Sequence, residues 1–167
     1  MNEEDRVGLE QELVFLAGFG LNDELRDGVY EVITKLFNGG INVRMISGDN
    51  IETAKAVAKK AGILQNDDDS YDKVCMLGEE FRELIGGVSK YVDASGTEKY
   101  EIGNKKNFKE VAQRLKVLAR STPEDKFSLI VGLKELGASV AVTADGINDA
   151  QALKTANVGF CMGIAGC

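Results

Sequence analysis

Two carboxylates and an amide lie close together in the segment from Thr143 to Asp149. Asp145 follows an apolar run, and Asp149 comes four residues later at the start of a helical pattern, so both acids and Asn148 could converge. A hard cation such as Mg²⁺ binds one or two carboxylates together with phosphate oxygens and water. A tight turn followed by a helix cap is the other interpretation, but the acid pair favours the cation.

A second polar segment, residues 47–50, follows another apolar run. The hydroxyl of Ser47 and the backbone amides around Gly48 could bind a phosphate at a helix start without a basic side chain. Ser, Asp and Asn are also the usual N-cap residues. Taken alone, this segment is better explained by capping.

Lys126 lies near the first turn of a helix that opens with Pro123. A cation in that turn opposes the helix dipole, and a bound anion would remove the penalty. A lysine on a solvated helix face is the commoner meaning of any single Lys. Together, however, the three segments offer a hydroxyl and amide cradle, a cation and an acid pair, which indicate a phosphoryl-transfer site.

The elements that must position these segments alternate between strand and helix patterns. Apolar runs predict strands at residues 13–17, 41–46, 117–119, 139–143 and 158–162. Helical spacing predicts helices at residues 28–37, 51–61, 123–136 and 149–156. This alternation is typical of a doubly wound, mostly parallel Rossmann-like α/β sheet with helices on both faces. Ligands bind at the carboxyl ends of such strands, where all three polar segments lie.

Two segments interrupt this alternation. Residues 66–70 form an acidic loop, and residues 91–102 predict an exposed hairpin with a Ser-Gly turn. We therefore interpret residues 78–105 as a small peripheral insertion in a single domain that covers residues 1–167.

Composition excludes several classes of function. With 167 residues, 44% of them hydrophobic, the chain fits one globular domain. The absence of His excludes Ser-His-Asp triads and His-built zinc sites. A net charge of −7 argues against a nucleic-acid partner. Three distant cysteines indicate reduced thiols in the cytosol, and no apolar run is long enough to span a bilayer, so we expect no membrane contact by this segment.

The polar segments are similar to motifs of the phosphorylation domain of P-type ATPases. The resemblance rests on Met45-Ile-Ser-Gly-Asp-Asn50, Ala119-Arg-Ser-Thr-Pro-Glu-Asp-Lys126 and Val142-Thr-Ala-Asp-Gly-Ile-Asn-Asp-Ala150. Asp23-Glu-Leu-Arg26 resembles the family's Asp-Pro-x-Arg motif, and residues 156–166 resemble its closing segment. Ala119-Arg-Ser with Gly163-Ile-Ala-Gly166 is most similar to calcium pumps of the plasma-membrane type.

This resemblance implies a haloacid-dehalogenase-like fold and a role for each matching residue. The implied catalytic residues, which bind or neutralise the phosphoryl group, are Ser47, Gly48, Lys126 and Asn148. The implied nucleotide-binding residues are Arg26, Asp49 and Arg120. The implied Mg²⁺ ligands are Asp145 and Asp149. The cofactors of the parent enzyme would be Mg²⁺ and ATP.

The parent protein implied by the resemblance is a membrane-embedded, ATP-driven cation pump, with calcium as its transported ion. The chain would be the carboxyl-side portion of its phosphorylation domain, on the cytosolic face of the membrane. Its partners would be the nucleotide-binding, actuator and transmembrane domains of the same pump. Aspartate phosphorylation and hydrolysis would drive the transport.

Three features depart from the family pattern. The nucleophile motif Asp-Lys-Thr-Gly-Thr is absent from the 167 residues, so we expect this chain alone to be inactive and its sheet to have a gap. Ala144 replaces the usual Gly, at a cost of about 1 kcal/mol if that backbone needs a positive φ. Glu24 and Gln151 stand where Pro is usual, which alters loop stiffness.

Two other functions are compatible with the sequence. The chain could be a non-catalytic module that binds magnesium and phosphate and acts through a partner. It could also be a soluble phosphatase of the haloacid-dehalogenase type, with Asp93 in Asp93-Ala-Ser-Gly-Thr97 or another acidic residue as its nucleophile. Phosphorylation of Asp93 would support the phosphatase.

Overall fold

The computed structural model of the chain describes residues 14–20, 24–65, 68–144 and 146–162. The helices in these ranges are α1 (Val29–Asn38), α2 (Ile51–Lys60), α3 (Gly78–Ile85), α4 (Lys105–Arg114), α5 (Pro123–Glu135) and α6 (Ala150–Thr155). The strands are β1 (Met45–Ile46), β2 (Cys75–Leu77), β3 (Val88–Val92), β4 (Glu98–Ile102), β5 (Val117–Ala119), β6 (Ala141–Ala144) and β7 (Val158–Cys161).

Local sequence explains where the main helices begin. The side chain of Asn50 accepts a hydrogen bond from the Thr53 amide and caps α2. At the start of α5, Thr122 and Asp125 form a reciprocal capping box, and Pro123 occupies the first turn. These two helix starts follow the parallel strands β1 and β5, so both lie at the same edge of the sheet.

Parallel strands form the centre of the fold. β5 lies between β1 and β2 and pairs with both in parallel, with Met45 opposite Val117 and Leu77 opposite Ala119. β6 and β7 form a second parallel pair. The predicted α/β class with a mostly parallel sheet is therefore confirmed.

Helices cover both faces of β5. Leu118 packs in one core cluster, whose other members come mainly from α3, α4 and α5. Val117 and Ala119 point the other way, into a cluster built around α2 and partly buried residues of α1. Helix α5 is buried along most of its length, from Phe127 to Leu133, so the helix that carries Lys126 is also a central part of the core.

Two parts of the prediction were wrong. Residues 14–17 do not form a strand, and their large apolar side chains are exposed, Leu16 by 91%; Leu13 itself lies outside the described residues. The prediction also missed β2, α3 and α4. β2 has three residues, too few for a period-two pattern to show.

The segment 78–105 takes a larger part in the core than its interpretation as a peripheral insertion allows. The hairpin is present, because β3 and β4 pair antiparallel, with Val88 opposite Ile102 and Val92 opposite Glu98. However, Phe81 and Ile85 of α3 are fully buried, and Ile102 of β4 is 2% exposed. Only the outer part of the hairpin projects from the core.

The parallel strands leave unpaired edges. Among the described residues, β1 has one hydrogen-bonded neighbour, β5, and the pair β6–β7 forms a separate sheet. All four residues of β7 are exposed, including Phe160 at 58%, although parallel strands are normally covered on both faces. None of the described helices is long and apolar enough to cross a bilayer.

An ion pair joins the loop between α2 and β2 to the residue before β5, and it predicts that stability depends on pH. Lys116 Nζ lies 2.6 Å from Asp68 Oδ2, and this hydrogen bond holds the pKa of Asp68 below its usual value. The pair therefore stabilises the fold above the unfolded pKa of about 3.9, and this contribution is lost as the pH falls through the folded value. We expect Asp68→Asn to cost up to about 1 kcal/mol at neutral pH.

The measurement is thermal unfolding of the two proteins at neutral pH and in acid. The stability difference should disappear in acid, because the side chain at position 68 is then uncharged in both proteins. An equal difference at both pH values would contradict the assignment of the effect to this carboxylate.

Candidate active site

The first site segment follows β1 and contains Ser47, Gly48 and Asp49. Ser47 Oγ donates a hydrogen bond to Asp49 Oδ2 at 2.8 Å and accepts one from the Asp49 amide at 3.1 Å. The cap of α2 is supplied by Asn50, so Ser47 is not the N-cap residue. A Cβ added to Gly48 would meet no atom within 4 Å, so open space lies beside this backbone.

The second segment, after β5, lies directly against the first. The Arg120 amide donates to the Asp49 carbonyl oxygen at 2.9 Å, and the Ser121 amide donates to the Ser47 carbonyl oxygen at 3.0 Å. Ser121 Oγ donates to the same Ser47 oxygen at 3.0 Å. These three hydrogen bonds join the carboxyl ends of two adjacent strands. Ligand sites in parallel α/β sheets lie at this end of the strands.

Arg120 has an unusual backbone conformation. Its φ is 46°, and among the described residues only Lys73 is another non-glycine with positive φ. A left-handed conformation costs a side-chain-bearing residue about 1–2 kcal/mol, so the hydrogen bond to Asp49 and the surrounding packing must maintain it. Strain of this kind is common where the backbone lines a functional site.

Lys126 connects the second segment to the third. Its Nζ lies 2.8 Å from Asp149 Oδ1 and 2.9 Å from Oδ2, and it donates a hydrogen bond to Oδ2. Asp149 is 7% exposed, and both of its carboxylate oxygens contact the Lys126 ammonium group. A buried carboxylate that is already paired with one cation could also serve as a ligand for a metal ion.

The rest of the third segment is only partly described. Asp145 lies outside the described residues. Asn148 lies in a 3₁₀ turn, Ile147–Asp149, and is exposed. Ala144 ends β6 opposite Cys161 and has no positive φ, so the methyl group that replaces the family glycine causes no backbone strain there. The amide of Asp149 donates to the Gly146 carbonyl oxygen.

Two of the three residues implied to contact nucleotide are joined by a hydrogen bond. Asp49 and Arg120 are adjacent through their backbone hydrogen bond, and both are exposed. Arg26 is exposed in the loop before α1, and its carbonyl oxygen accepts from the Val29 amide. Glu24 precedes it, and Gln151 lies exposed in α6, so both Pro replacements are on the surface.

Asp93, the alternative nucleophile, has a structural role in the hairpin turn. Its Oδ1 accepts hydrogen bonds from the amides of Ser95 and Thr97 and from Ser95 Oγ. Lys99 forms an ion pair with Oδ2 at 2.7 Å. The Lys99 hydrogen bond, followed by that of Ser95, holds the pKa of Asp93 well below its usual range. Both oxygens are occupied, which favours a turn over a nucleophile.

Three residues missed by the sequence analysis support the second segment. Asp125 is fully buried in the first turn of α5 and pairs with Arg82 of α3 at 2.5 Å. Gly78 lies so near that an added Cβ would come within 2.5 Å of Asp125 Oδ2. The pattern Thr-x-x-Asp did signal a capping box. Nothing in the sequence indicated the partner 43 residues away.

The described residues contain no group of three or more acidic or cysteine side chains that could by itself bind a metal. The acid pair therefore depends on Asp145, and Asp149 is its described member. A site with one or two carboxylates suits Mg²⁺, which completes its coordination with phosphate oxygens and water.

Comparisons with known proteins agree with these features. A family model described as haloacid dehalogenase-like hydrolase matches residues 2–157. Plasma membrane calcium-transporting ATPase 3 of Homo sapiens is 43% identical over 170 residues, which cover 99% of this chain and 12% of the relative. Calcium-transporting ATPase 9, plasma membrane-type, of Arabidopsis thaliana is 39% identical over 94% of this chain and 13% of its own length.

A yeast relative extends the range of organisms. Calcium-transporting ATPase 2 of Saccharomyces cerevisiae is 44% identical over 88% of this chain and 11% of its own length. The chain thus spans 11–13% of the length of these three relatives. The human and Arabidopsis relatives confirm the similarity to calcium pumps of the plasma-membrane type. Because the family model covers most of its length, the chain belongs to the haloacid dehalogenase-like hydrolase family.

Proposed function

We propose that this chain is the carboxyl-side portion of the phosphorylation domain of an ATP-driven cation pump, with calcium as the transported ion. The observation that carries the proposal is the chain of contacts from Ser47 to Ser121 and from Lys126 to Asp149. These contacts join three sequence-distant polar segments whose chemistry is complementary.

The phosphoryl group would bind at the first two segments. The Ser47 hydroxyl and the amides around Gly48 donate hydrogen bonds, and the open space beside Gly48 admits an anion. Lys126 supplies the positive charge. In the structure this charge is neutralised by Asp149, so an arriving phosphoryl group must compete with the carboxylate for the ammonium group.

Mg²⁺ would bind at the third segment. Asp145 and Asp149 would ligate it, with Asn148 completing the shell; the burial of the Asp149 carboxylate beside Lys126 supports this assignment. When bound, the ion would neutralise and orient the phosphoryl oxygens. ATP would reach the site beside Asp49, Arg120 and Arg26, of which the first two are adjacent.

The unpaired strands support a place within a larger domain. β6–β7 and β1 each have an open edge among the described residues, and apolar side chains of β7 are exposed. A further strand would cover them. The proposed partners are the nucleotide-binding, actuator and transmembrane domains of the parent pump, with this chain on the cytosolic side. We expect the chain alone to bind ligands without turnover.

Titration calorimetry with Mg²⁺ tests the metal assignment. We expect weak binding to the chain, strengthened by inorganic phosphate, because each ion neutralises the other's charge. Asp145→Ala should weaken Mg²⁺ binding by at least about tenfold, since removal of a ligand costs no less than removal of its supporting contacts.

Asp72→Ala is the matched control, because it removes the same charge from an exposed turn outside the three segments. It should change the affinity less than twofold, as expected for a distant charge screened by salt (about 10 Å at 0.1 M). If Asp145→Ala bound Mg²⁺ as well as this control does, Asp145 would not be a ligand.

A further inference from the structure

Asp125 is the most buried charged side chain of the described structure, and the proposed chemistry does not use it. Its exposure is 0%. Oδ2 accepts hydrogen bonds from Arg82 Nη1 at 2.5 Å and from the Thr122 amide at 2.8 Å, whereas Oδ1 has no hydrogen-bond partner. Burying a carboxylate with one oxygen unsatisfied is costly, so helix capping, which an exposed acid performs equally well, does not explain it.

The surrounding backbone is fitted to this carboxylate. Gly78 begins α3, and a Cβ at that position would lie 2.5 Å from Asp125 Oδ2 and 2.8 Å from the Arg120 carbonyl oxygen. The first turn of α3 therefore packs closely against Arg120, where the turn between β5 and α5 begins, and against Asp125, in the first turn of α5. Arg82, one turn along α3, adds the ion pair on the same side.

The turn that is held in this way carries the contacts of the candidate site. It begins with Arg120, whose strained backbone donates to Asp49, continues with Ser121, which donates to Ser47, and ends at Lys126 beside Asp149. Asp125 immediately precedes Lys126 in the chain. Any rotation of the first turn of α5 would move the ammonium group and these backbone hydrogen bonds together.

We propose that Arg82 and Asp125 form a positioning pair that holds residues 120–126 against the Ser47 segment and directs Lys126 into the site. The purpose of the pair rests on the proposed function, but its effect on the turn does not. Neither side chain touches the reacting groups. The pair acts through the backbone of Arg120 and Ser121 and through the first turn of α5.

Amide hydrogen exchange, followed by NMR on the whole chain, tests this pair. The reporters are the amides of Arg120 and Ser121, which bond to Asp49 and Ser47. The reference is the Met45 amide, which bonds to the Lys116 carbonyl oxygen at the opposite end of β5 and reports the stability of the sheet. The variants are Asp125→Asn, Arg82→Gln and the double substitution.

We expect each single variant to speed exchange at Arg120 and Ser121 by at least about tenfold relative to Met45, through local opening of the turn. The double variant should add little to either single, because both remove one interaction. Asp125→Asn keeps the shape of the side chain and leaves no buried charge, so it remains informative if Arg82→Gln fails to fold. Glu79→Gln, at an exposed position in the first turn of α3, should leave the exchange rates of all three amides unchanged.

Equal acceleration at all three amides, or none, would overturn the proposal, because the pair would then contribute only to global stability or to nothing. Failure of the proposed function has a different signature. It would appear as absence of binding of Mg²⁺ with inorganic phosphate to the unsubstituted chain, with the exchange result unaffected.

Discussion

Replacement of Gly78 with alanine should destabilise the fold by about 3 kcal/mol, at the upper end of the usual cost of overpacking. The added Cβ would lie 2.8 Å from the Arg120 carbonyl oxygen and 3.2 Å from Ser121 Cα. These are backbone atoms held by hydrogen bonds to the Ser47 segment, so they cannot move aside cheaply. The third close atom belongs to buried Asp125.

Chemical denaturation at neutral pH measures this effect, and Gly48→Ala provides the control. A Cβ at Gly48 meets open space, so its free energy of unfolding should change by less than about 0.5 kcal/mol. The same control should weaken anion binding, because its methyl group occupies the proposed phosphoryl position. A Gly78→Ala variant as stable as Gly48→Ala would show that α3 does not press on the turn.

Gly132→Ala should cost about 2 kcal/mol despite the better helix propensity of alanine. Gly132 lies in the middle of α5, and a Cβ there would overlap the ring of Phe108 from α4. Phe108 is 1% exposed and lies in the main core cluster beside Phe81, with ring centroids 6.4 Å apart. The ring therefore has no free volume into which to move.

A double-mutant cycle separates steric overlap from other causes. Phe108→Leu removes ring atoms and should destabilise the protein by leaving a cavity, but it should also relieve the overlap in Gly132→Ala. We expect the double variant to be more stable than the sum of the single effects by about 1 kcal/mol or more. Strict additivity in chemical denaturation would show that the two side chains do not compete for space.

Local signals in the sequence predicted much of this fold. The strand Val117–Ala119 has the predicted bounds, and α5 begins at Pro123 as predicted because a proline marks that position. The hairpin was also predicted, from its Ser-Gly turn. Each of these signals acts over a few residues, so a single sequence is enough to read it.

Elements that depend on distant partners could not be predicted in the same way. The apolar run at residues 14–17 resembles a strand, but a strand needs a neighbour, and those residues are exposed. Helix α3 was missed although Phe81 and Ile85 have helical spacing, because two glycines follow and its first residue is Gly78. Glycine normally weakens a helix prediction. Here it is required by contact with Asp125.

The same limit applies to the candidate site. The position of residues after parallel strands predicted that the three segments would approach one another, and contacts of Ser47 and Lys126 now join them. The positive φ of Arg120 and the partner of Asp125 arise from packing between α3 and α5. Neither leaves a periodic pattern in the sequence.

The enclosure of α5 has a mechanical consequence. Seven consecutive residues of this helix, from Phe127 to Leu133, are buried, and protein interiors are packed about as densely as organic crystals. Tilting this helix would open voids on several of its sides at once, so Lys126 is carried by a rigid element. If the ammonium group moves relative to its neighbours in the site, the neighbouring segments must therefore move. Otherwise, the ammonium group moves only when the whole domain moves as a rigid body.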